Sequence, residues 1–281
     1  MNSGNQKRFE FAVRLNPFHR RFRGNRRKQN TKPCYTFAMN IILFEPNETE
    51  RPLPGRDARA IHLLKILRKK EGDAFDAGVL GIGVGEGRLG KADANGLLAF
   101  TLEMRSPPPP RLPIRVAVGF PRPIQLRRLL RELSGMGVAE IDLVCTDLGE
   151  KSYRDTRLLE DGGARAALIE GAAQSRDATL PNLKVHYGIE KWLSEIAETG
   201  GKTLRIAADN VRPAGTLSGA ADGNESAVLA IGPERGWSDR ERVVLEAADF
   251  VRLSMGSRAL RTETACVAAV ALTLEKIGVP G

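Results

Sequence analysis

The distribution of apolar residues divides the chain into two regions with different periods. Between Met39 and about Met104, short apolar runs are separated by glycine and turn residues, and one helical stretch, 58–70, interrupts them. Short strands at this spacing are typical of a small β-barrel. The strands are predicted at residues 41–44, 74–79, 87–91 and 97–102.

In the second region, apolar runs of strand length alternate strictly with stretches of helical length. This alternation predicts an α/β fold with a largely parallel sheet covered on both faces. The predicted strands are 114–120, 141–145, 183–187, 203–208, 227–231 and 250–253, and the predicted helices are 124–134, 155–175, 189–198, 239–247 and 263–277. Ligands of such sheets bind beyond the carboxyl ends of the strands, so we expect chemistry in the loops after Ala208, Ile231 and Leu253.

A run of four prolines separates the two regions. The prolines at residues 107–110 form a stiff, extended connector. We therefore predict a barrel domain over residues 39–106, a proline-rich linker over residues 107–113 and an α/β domain over residues 114–281.

The net charge of +9 comes entirely from residues 1–38, which hold ten basic residues and one acidic residue, while the 33 basic and 33 acidic residues that remain cancel. Three interpretations of this basic, aperiodic extension stay open. It is a disordered arm that attracts phosphates, an organellar targeting segment, or an extension upstream of a true start at Met39. We favour the last, because a strand-like run begins directly after Met39.

Composition excludes several classes of protein. Cys34, Cys145 and Cys266 lie far apart and no Cys-x-x-Cys pair occurs, so we expect neither a disulfide framework nor a metal site, and a reducing compartment. No apolar run approaches the roughly 20 residues of a membrane-spanning helix, so we expect no membrane segment.

One short predicted helix of the first region is strongly cationic. It carries His62, Lys65, Arg68, Lys69 and Lys70. Such charges are commonly the solvated face of a helix. The same residues on a small barrel are also suited to contact an RNA backbone, and composition does not separate the two interpretations.

The loop at residues 232–238 leaves a predicted strand and enters a predicted helix. Two glycines flank Pro233 and Glu234, and glycine lets the backbone approach a ligand closely. Ser238 is placed to cap the helix, with Glu241 as its partner three residues on. A plain strand-to-helix turn is the alternative.

The segment 253–265 is an irregular loop that contains Arg258 and Arg261 and runs into an alanine-rich helix. The free amides at the start of that helix suit an anion, and the bulky apolar residues of the loop suit a flat ring. Together the two loops predict a nucleotide-like ligand near Gly232 and Gly256, with Arg261 directed toward an anionic group.

These two loops resemble the signature of a known family. Residues 232–236 are Gly-Pro-Glu-Arg-Gly, and residues 255–265 are Met-Gly-Ser-Arg-Ala-Leu-Arg-Thr-Glu-Thr-Ala. The pair is similar to the signature of the RsmE-type 16S ribosomal RNA (uridine N3) methyltransferases of the SPOUT class. Segment 62–73 is similar to the PUA-like RNA-binding domain of that family, and 174–181 to its middle helix and exit. The resemblance covers residues 39–281.

The resemblance implies an α/β fold with a SPOUT trefoil-knotted, mostly parallel sheet and flanking helices, preceded by a small PUA-like β-barrel. It implies S-adenosylmethionine as cofactor, 16S ribosomal RNA or the small ribosomal subunit as partner, a homodimer and a cytoplasmic location. The cofactor contacts that it implies are Ala208, Ile231, Gly232, Pro233, Gly236, Leu253, Met255, Gly256, Ala259 and Leu260.

In such a reaction the sulfonium is already a reactive electrophile, and the protein aligns it with a uracil N3 that must lose its proton. The resemblance assigns Arg261 to stabilise the developing uracil anion. Glu234 is either the proton acceptor or a contact that shapes its loop, and water or a phosphate is the alternative acceptor. The RNA contacts implied in the first domain are His62, Lys65, Arg68 and Lys69.

The chain departs from the family pattern on the side expected to meet RNA. Arg235 stands where the family usually has glycine, residues 132–138 lack the usual lysine and glutamate, Lys151 replaces an arginine and Ala173 replaces a glutamate. Two alternatives therefore stay open. One is a knotted methyltransferase with a different RNA target, and the other is a catalytically silent RNA-binding assembly factor, against which the intact signature argues.

Overall fold

Residues 40–197 and 202–278 are described by a computed structural model, and the interpretations of residues 1–38 lie outside this part of the chain. The first of two compact units reaches Pro108 and includes Arg176–Ala178. The second consists of Pro109–Ser175 and the residues from Thr179 onward. The division falls within the run of prolines.

The first unit contains a four-stranded sheet. Its elements are β1 (Ile42–Phe44), α1 (Ala58–Ile61), β2 (Ala74–Val79), β3 (Gly83–Ala92) and β4 (Leu98–Ser106). The strands lie in the order β1-β2-β3-β4, with β1 parallel to β2 and the other pairs antiparallel. Phe44, Phe75 and Phe100 are buried in its core, and each large apolar side chain stabilises the fold by about 1.5–3 kcal/mol.

The predicted helix over residues 58–70 is shorter and less regular than expected. Asp57 caps α1 by accepting a hydrogen bond from the Arg59 amide at 2.8 Å. Residues His62–Ile66 then form a π-helical turn, closed by the Leu67 amide donating to the His62 carbonyl at 2.9 Å. Arg68, with a φ of 53°, ends the segment in the left-handed region.

The second unit is a seven-stranded sheet with helices on both faces. Its elements are β5 (Leu112–Gly119), α2 (Pro123–Gly135), β6 (Val138–Val144), α3 (Arg157–Glu160), α4 (Gly163–Gln174), β7 (Asn182–His186), α5 (Ile189–Ile196), β8 (Thr203–Ala208), β9 (Gly215–Thr216), β10 (Ser226–Ile231), α6 (Asp239–Ala247), β11 (Val251–Ser254) and α7 (Thr262–Lys276). The order is β7-β6-β5-β10-β8-β11-β9, and every described pair is parallel. The predicted α/β fold with a mostly parallel sheet is confirmed.

Two hydrophobic layers cover this sheet. Along β5, Val116 and Val118 face the cluster that includes residues of α2, α4 and α7. Ala117, between them, faces the other cluster, which holds Trp192 of α5 and Phe250. Successive strand residues point to opposite faces, so a strand buried on both sides is apolar throughout.

Two features of the second unit differ from the prediction. The helix predicted over residues 155–175 is two helices, because Gly162 has a φ of 72°, a conformation that favours glycine and ends α3. Strand β9 was not predicted, because two residues are too few to show a period.

Candidate active site

Three strands of the second unit end at one pocket. β10, β8 and β11 are neighbours in the sheet and run parallel, so their carboxyl ends meet at the same edge. A cavity of about 270 Å³ lies there, and Ala208, Ile231 and Leu253 line it. The loops in which chemistry was expected therefore meet at one place.

Most of the predicted site residues of this unit are brought together here. Those that line the cavity are Ala208, Ile231, Gly232, Pro233, Glu234, Gly236, Leu253, Met255, Ala259 and Leu260. Gly256 and Arg261 do not line it. Gly256, with a φ of 116°, turns the loop after β11, and Arg261 is an exposed residue at the N-cap of α7.

The floor of the pocket is apolar, and hydrogen bonds hold the loops around it. Ile231 and Leu253 are buried at the strand ends. The indole nitrogen of the buried Trp237 donates to the Ala208 carbonyl at 3.1 Å and so joins the loop after β10 to the end of β8. Ser238 and Glu241 form the capping box that the sequence predicted, which sets the direction of α6.

Asp209 is a functional candidate that the sequence interpretation missed. Asp209 lines the pocket, and its carboxylate accepts hydrogen bonds from Arg242 Nε at 2.7 Å and Arg252 Nη1 at 3.2 Å. Burial alone would raise the pKa of Asp209, but the hydrogen bonds from Arg242 and the Val211 amide outweigh burial and hold the pKa below its ordinary value. The charged Asp209 carboxylate therefore holds the loop after β8 in place. In the sequence, only the position of Asp209 directly after a predicted strand could have indicated this role.

Three arginines surround the mouth of the pocket. Arg235 and Arg258 line it, and Arg261 follows the lining residue Leu260. None of the three forms an ion pair with any residue in the described ranges, and all are exposed. Uncompensated positive charge at a cavity attracts an anionic partner such as a phosphate backbone.

Glu234 is exposed and makes one contact across the site. Its Oε1 accepts a hydrogen bond from the Arg122 amide at 3.3 Å. Arg122 precedes α2, so this contact ties the loop after β10 to the loop after β5. Two roles were considered for Glu234, a proton acceptor and a contact that shapes the loop, and this geometry fits the second.

The four residues predicted to contact RNA lie in the first unit. Lys65 and Arg68 are exposed, and His62 and Lys69 are half-buried. They make no ion pair with residues that the structure describes. Four exposed apolar side chains interleave with them: Ile61, Leu64, Ile66 and Leu67. An exposed patch of mixed apolar and basic residues is more typical of a binding surface than of a solvated helix face.

Over residues 40–197 and 202–278, no three His, Cys, Asp or Glu side chains are grouped to hold a metal ion. None of the helices in these ranges is long and apolar enough to cross a bilayer.

Comparison with known proteins decides the family. A family model described as an RNA methyltransferase domain matches residues 108–274. The Ribosomal RNA small subunit methyltransferase E of Treponema pallidum is 35% identical over 241 residues, which is 84% of this chain and 91% of that protein. This chain belongs to the RsmE family of ribosomal RNA methyltransferases. The predicted family and the predicted methyltransferase activity are confirmed.

Further members and solved structures agree with this assignment. The Ribosomal RNA small subunit methyltransferase E 1 of Borreliella burgdorferi is 30% identical over 240 residues, which is 85% of this chain and 99% of that protein. A probable rRNA-methyltransferase from Porphyromonas gingivalis has a TM-score of 0.63 at 25% identity and covers 84% of this chain and 98% of its own. The Neisseria gonorrhoeae Ribosomal RNA small subunit methyltransferase E, solved bound to S-adenosyl methionine, shares the fold with a TM-score of 0.66 at 20% identity, and the match covers 84% of this chain and 97% of that chain.

Proposed function

We propose that this RsmE family member methylates N3 of a specific uridine in the 16S ribosomal RNA of the small subunit, with S-adenosylmethionine as methyl donor. One observation carries the proposal. The two signature loops, which α6 and β11 separate along the chain, form a single cavity with Ala208 at the carboxyl edge of a parallel sheet. Its mouth is positively charged, as an RNA substrate requires.

The pocket suits the cofactor chemically. Its buried floor of Ile231 and Leu253 and its wall of Met255 and Leu260 offer apolar contacts to an adenine ring. The backbone groups of Gly232 and its neighbours lie at the strand ends, where they are available to ribose and adenine. The remaining contacts proposed are those of Pro233, Gly236, Gly256 and Ala259. The cofactor supplies an electrophilic methyl group on a sulfonium.

The residues at the mouth prepare the uracil. We assign Arg261 to the uracil oxygens, where its charge stabilises the anion that forms when N3 gives its proton to water or to an RNA phosphate. Glu234 holds the loop after β10 in place through the Arg122 amide.

A trefoil knot is supported by the path of the chain around β11. Residues 209–214 connect β8 to β9, and β11 is bonded between those two strands. The amides of Asp209 and Ala214 donate to the carbonyls of Leu253 and Arg252. After β11 the chain returns to the centre of the sheet, where α7 packs against β5, β10 and α2. Passage of the chain that follows β11 through the loop of residues 209–214 is the threading that a trefoil knot of the SPOUT class implies.

We propose that the first unit is the PUA-like RNA-binding domain, over residues 39–106. Its exposed segment of basic and apolar residues, from Ile61 to Lys69, supports an RNA contact through His62, Lys65, Arg68 and Lys69. We also propose a homodimer, the assembly that the family resemblance implies. We place the protein in the cytoplasm, where its ribosomal substrate is made.

The test is methyl transfer from labelled S-adenosylmethionine to unmodified small ribosomal subunits, followed by nucleoside analysis of the digested RNA. We expect 3-methyluridine. Label on another nucleoside would support the alternative of a different RNA target. Absence of label, with calorimetry still detecting cofactor binding, would support the binding-only assembly factor.

A further inference from the structure

A second cavity, of about 470 Å³, opens at the same edge of the sheet. Phe120, Cys145 and Tyr187, the residues that follow β5, β6 and β7, line it. No residue lines both this cavity and the pocket at β8, β10 and β11. Its volume is that of a small-ligand site, and the proposed mechanism leaves it unused.

Tyr187 gives this cavity an uncovered aromatic ring. The side chain is 79% exposed, more than any other large apolar or aromatic residue that is exposed in the described ranges. Exposed aromatic rings beside a cavity are the common platform on which proteins stack an unpaired nucleobase. Tyr187 therefore points to a base as the ligand.

Thr146 supplies an unused polar group. Its Oγ1 is buried yet has no hydrogen-bond partner among the described residues. The atom is held against Gly149, whose amide closes the turn by donating to the Thr146 carbonyl at 3.2 Å; a Cβ at position 149 would lie 2.6 Å from Oγ1. A buried hydroxyl without a partner is unfavourable unless a ligand pairs with it, and a hydroxyl can serve the donors and acceptors of a base edge.

The charges of the cavity fit a nucleotide better than a free anion. The cations that line it are Lys151, Arg154 and Arg240, and the acids are Asp147, Glu150 and Glu190. Arg240 is occupied by Asp147, at 2.6 Å, and by Glu190. Lys151 has no ion-pair partner in the parts of the chain that the structure describes, and so it is available to one phosphate.

The cavity is rigidly connected to the cofactor pocket. The Asp147 amide donates to Glu241 Oε1 at 2.8 Å, and the Ser238 hydroxyl donates to Asp147 Oδ2 at 2.5 Å. These contacts bond the turn after β6 to the end of the loop after β10. The central strands of the two sites, β6 and β8, are three places apart in the sheet, which is roughly 14 Å at a strand spacing of about 4.8 Å. One RNA strand can reach both.

We infer that this second cavity binds a nucleotide of the RNA strand that neighbours the methylated uridine. The base stacks on Tyr187, its edge pairs with the Thr146 hydroxyl, and its phosphate lies near Lys151. The inference rests on the proposed function. It also places Lys151, where the family usually has an arginine, in direct contact with the RNA.

Binding of a fluorescent, single-stranded, uridine-rich oligonucleotide to the full chain tests the site, with anisotropy as the readout. We expect Tyr187→Ala to weaken binding by about 5- to 150-fold, the range for loss of one stacked base, and Tyr187→Phe to retain wild-type binding. Lys151→Ala should lower the slope of log affinity against log salt by about one. The matched control is Lys191→Ala, an exposed lysine of α5 outside the cavity, which should leave the slope unchanged.

Unchanged oligonucleotide binding in Tyr187→Ala and Lys151→Ala, with thermal unfolding like that of the wild type, would overturn the site. Labelled methyl transfer separates this from failure of the proposed function. If the wild type methylates small subunits and both variants keep its KM, the site is wrong and the function stands. If the wild type transfers no methyl group but Tyr187→Ala still weakens oligonucleotide binding, the function is wrong and the site stands.

Discussion

The two units collect their candidate functional residues in opposite ways. In the first unit they are neighbours along the chain, within residues 62–69. In the second unit they come from three loops that begin after Ala208, Ile231 and Leu253, and a parallel sheet brings these loops to one edge. The RNA-contact segment therefore depends on local sequence, whereas the pocket depends on the whole sheet. Substitutions at the pocket should therefore affect stability where they break contacts between loops, and catalysis where they remove a group from the mouth. Substitutions in the segment should affect only RNA affinity.

The largest effect is expected from Asp209→Ala in the pocket. The Asp209 side chain is 4% exposed and holds two arginines. Its removal leaves Arg242 with only the fully exposed Asp239, and Arg252 with only the half-exposed Glu246. Loss of one member of a buried ion pair costs about 3–5 kcal/mol. Chemical denaturation should show this decrease in the free energy of unfolding. A decrease below about 1 kcal/mol would contradict the supporting role of this carboxylate.

The same carboxylate makes stability depend on pH. The pKa of Asp209 is lower in the folded chain than its ordinary value, so its contribution is complete above the unfolded-state pKa of about 3.9 and is lost as pH falls through the folded-state pKa. The difference in unfolding free energy between the wild type and Asp209→Ala should be constant near pH 7 and should narrow at acidic pH. A difference that widens with acid would exclude this explanation.

Arg261→Ala should separate catalysis from folding at the same pocket. Its side chain is exposed and caps nothing, so the fold should be retained. Loss of one group that stabilises a developing anion lowers kcat by about 10²–10³-fold. Single-turnover methyl transfer measures this, and calorimetry should show unchanged S-adenosylmethionine affinity. Transfer at the wild-type rate would remove Arg261 from the mechanism.

The double variant Lys65→Ala, Arg68→Ala tests the RNA-contact segment of the first unit. Loss of two phosphate contacts should lower the slope of log RNA affinity against log salt by about two. The KM for small subunits should rise, while kcat and the free energy of unfolding should not change. Lys91→Ala is the control, because Lys91 is an exposed lysine of the same unit outside this segment. A slope equal to that of the control would favour the solvated-face interpretation.

The smallest effect is expected from Arg235→Gly, which restores the residue usual in the family. Arg235 is exposed at the pocket mouth without an ion pair to any described residue, so unfolding should change by no more than about 0.5 kcal/mol. The salt slope of RNA binding should fall by about one, and Arg235→Lys should preserve it. A loss of cofactor affinity instead would place Arg235 against the cofactor rather than the RNA.

Much of the second unit was predictable because its patterns are local. The strand at residues 203–208 and the helix at residues 239–247 have the bounds that the sequence predicted, since apolar periodicity and a capping box act within a few residues. The helix predicted over residues 155–175 failed at Gly162. The apolar pattern of a helix continues past Gly162 although the backbone conformation of this residue ends the helix, so the pattern alone does not locate the break.

The candidate site was predictable to a different degree. The signature loops identified most residues that line the pocket, because a family signature specifies several positions of one site at once. Asp209 escaped notice, since its partners Arg242 and Arg252 follow it by 33 and 43 residues. The second cavity escaped for the same reason, as Thr146 and Tyr187 meet only after β6 and β7 have paired.

Element type, the parallel character of the sheet and the family all followed from short-range patterns in the chain. Only the folded molecule shows which loops share a pocket, which arginines remain unpaired and where the chain passes between β8 and β9. The physical reason is that periodicity and capping are set by neighbours in sequence, whereas strand order and charge pairing are set by contacts between residues tens of positions apart.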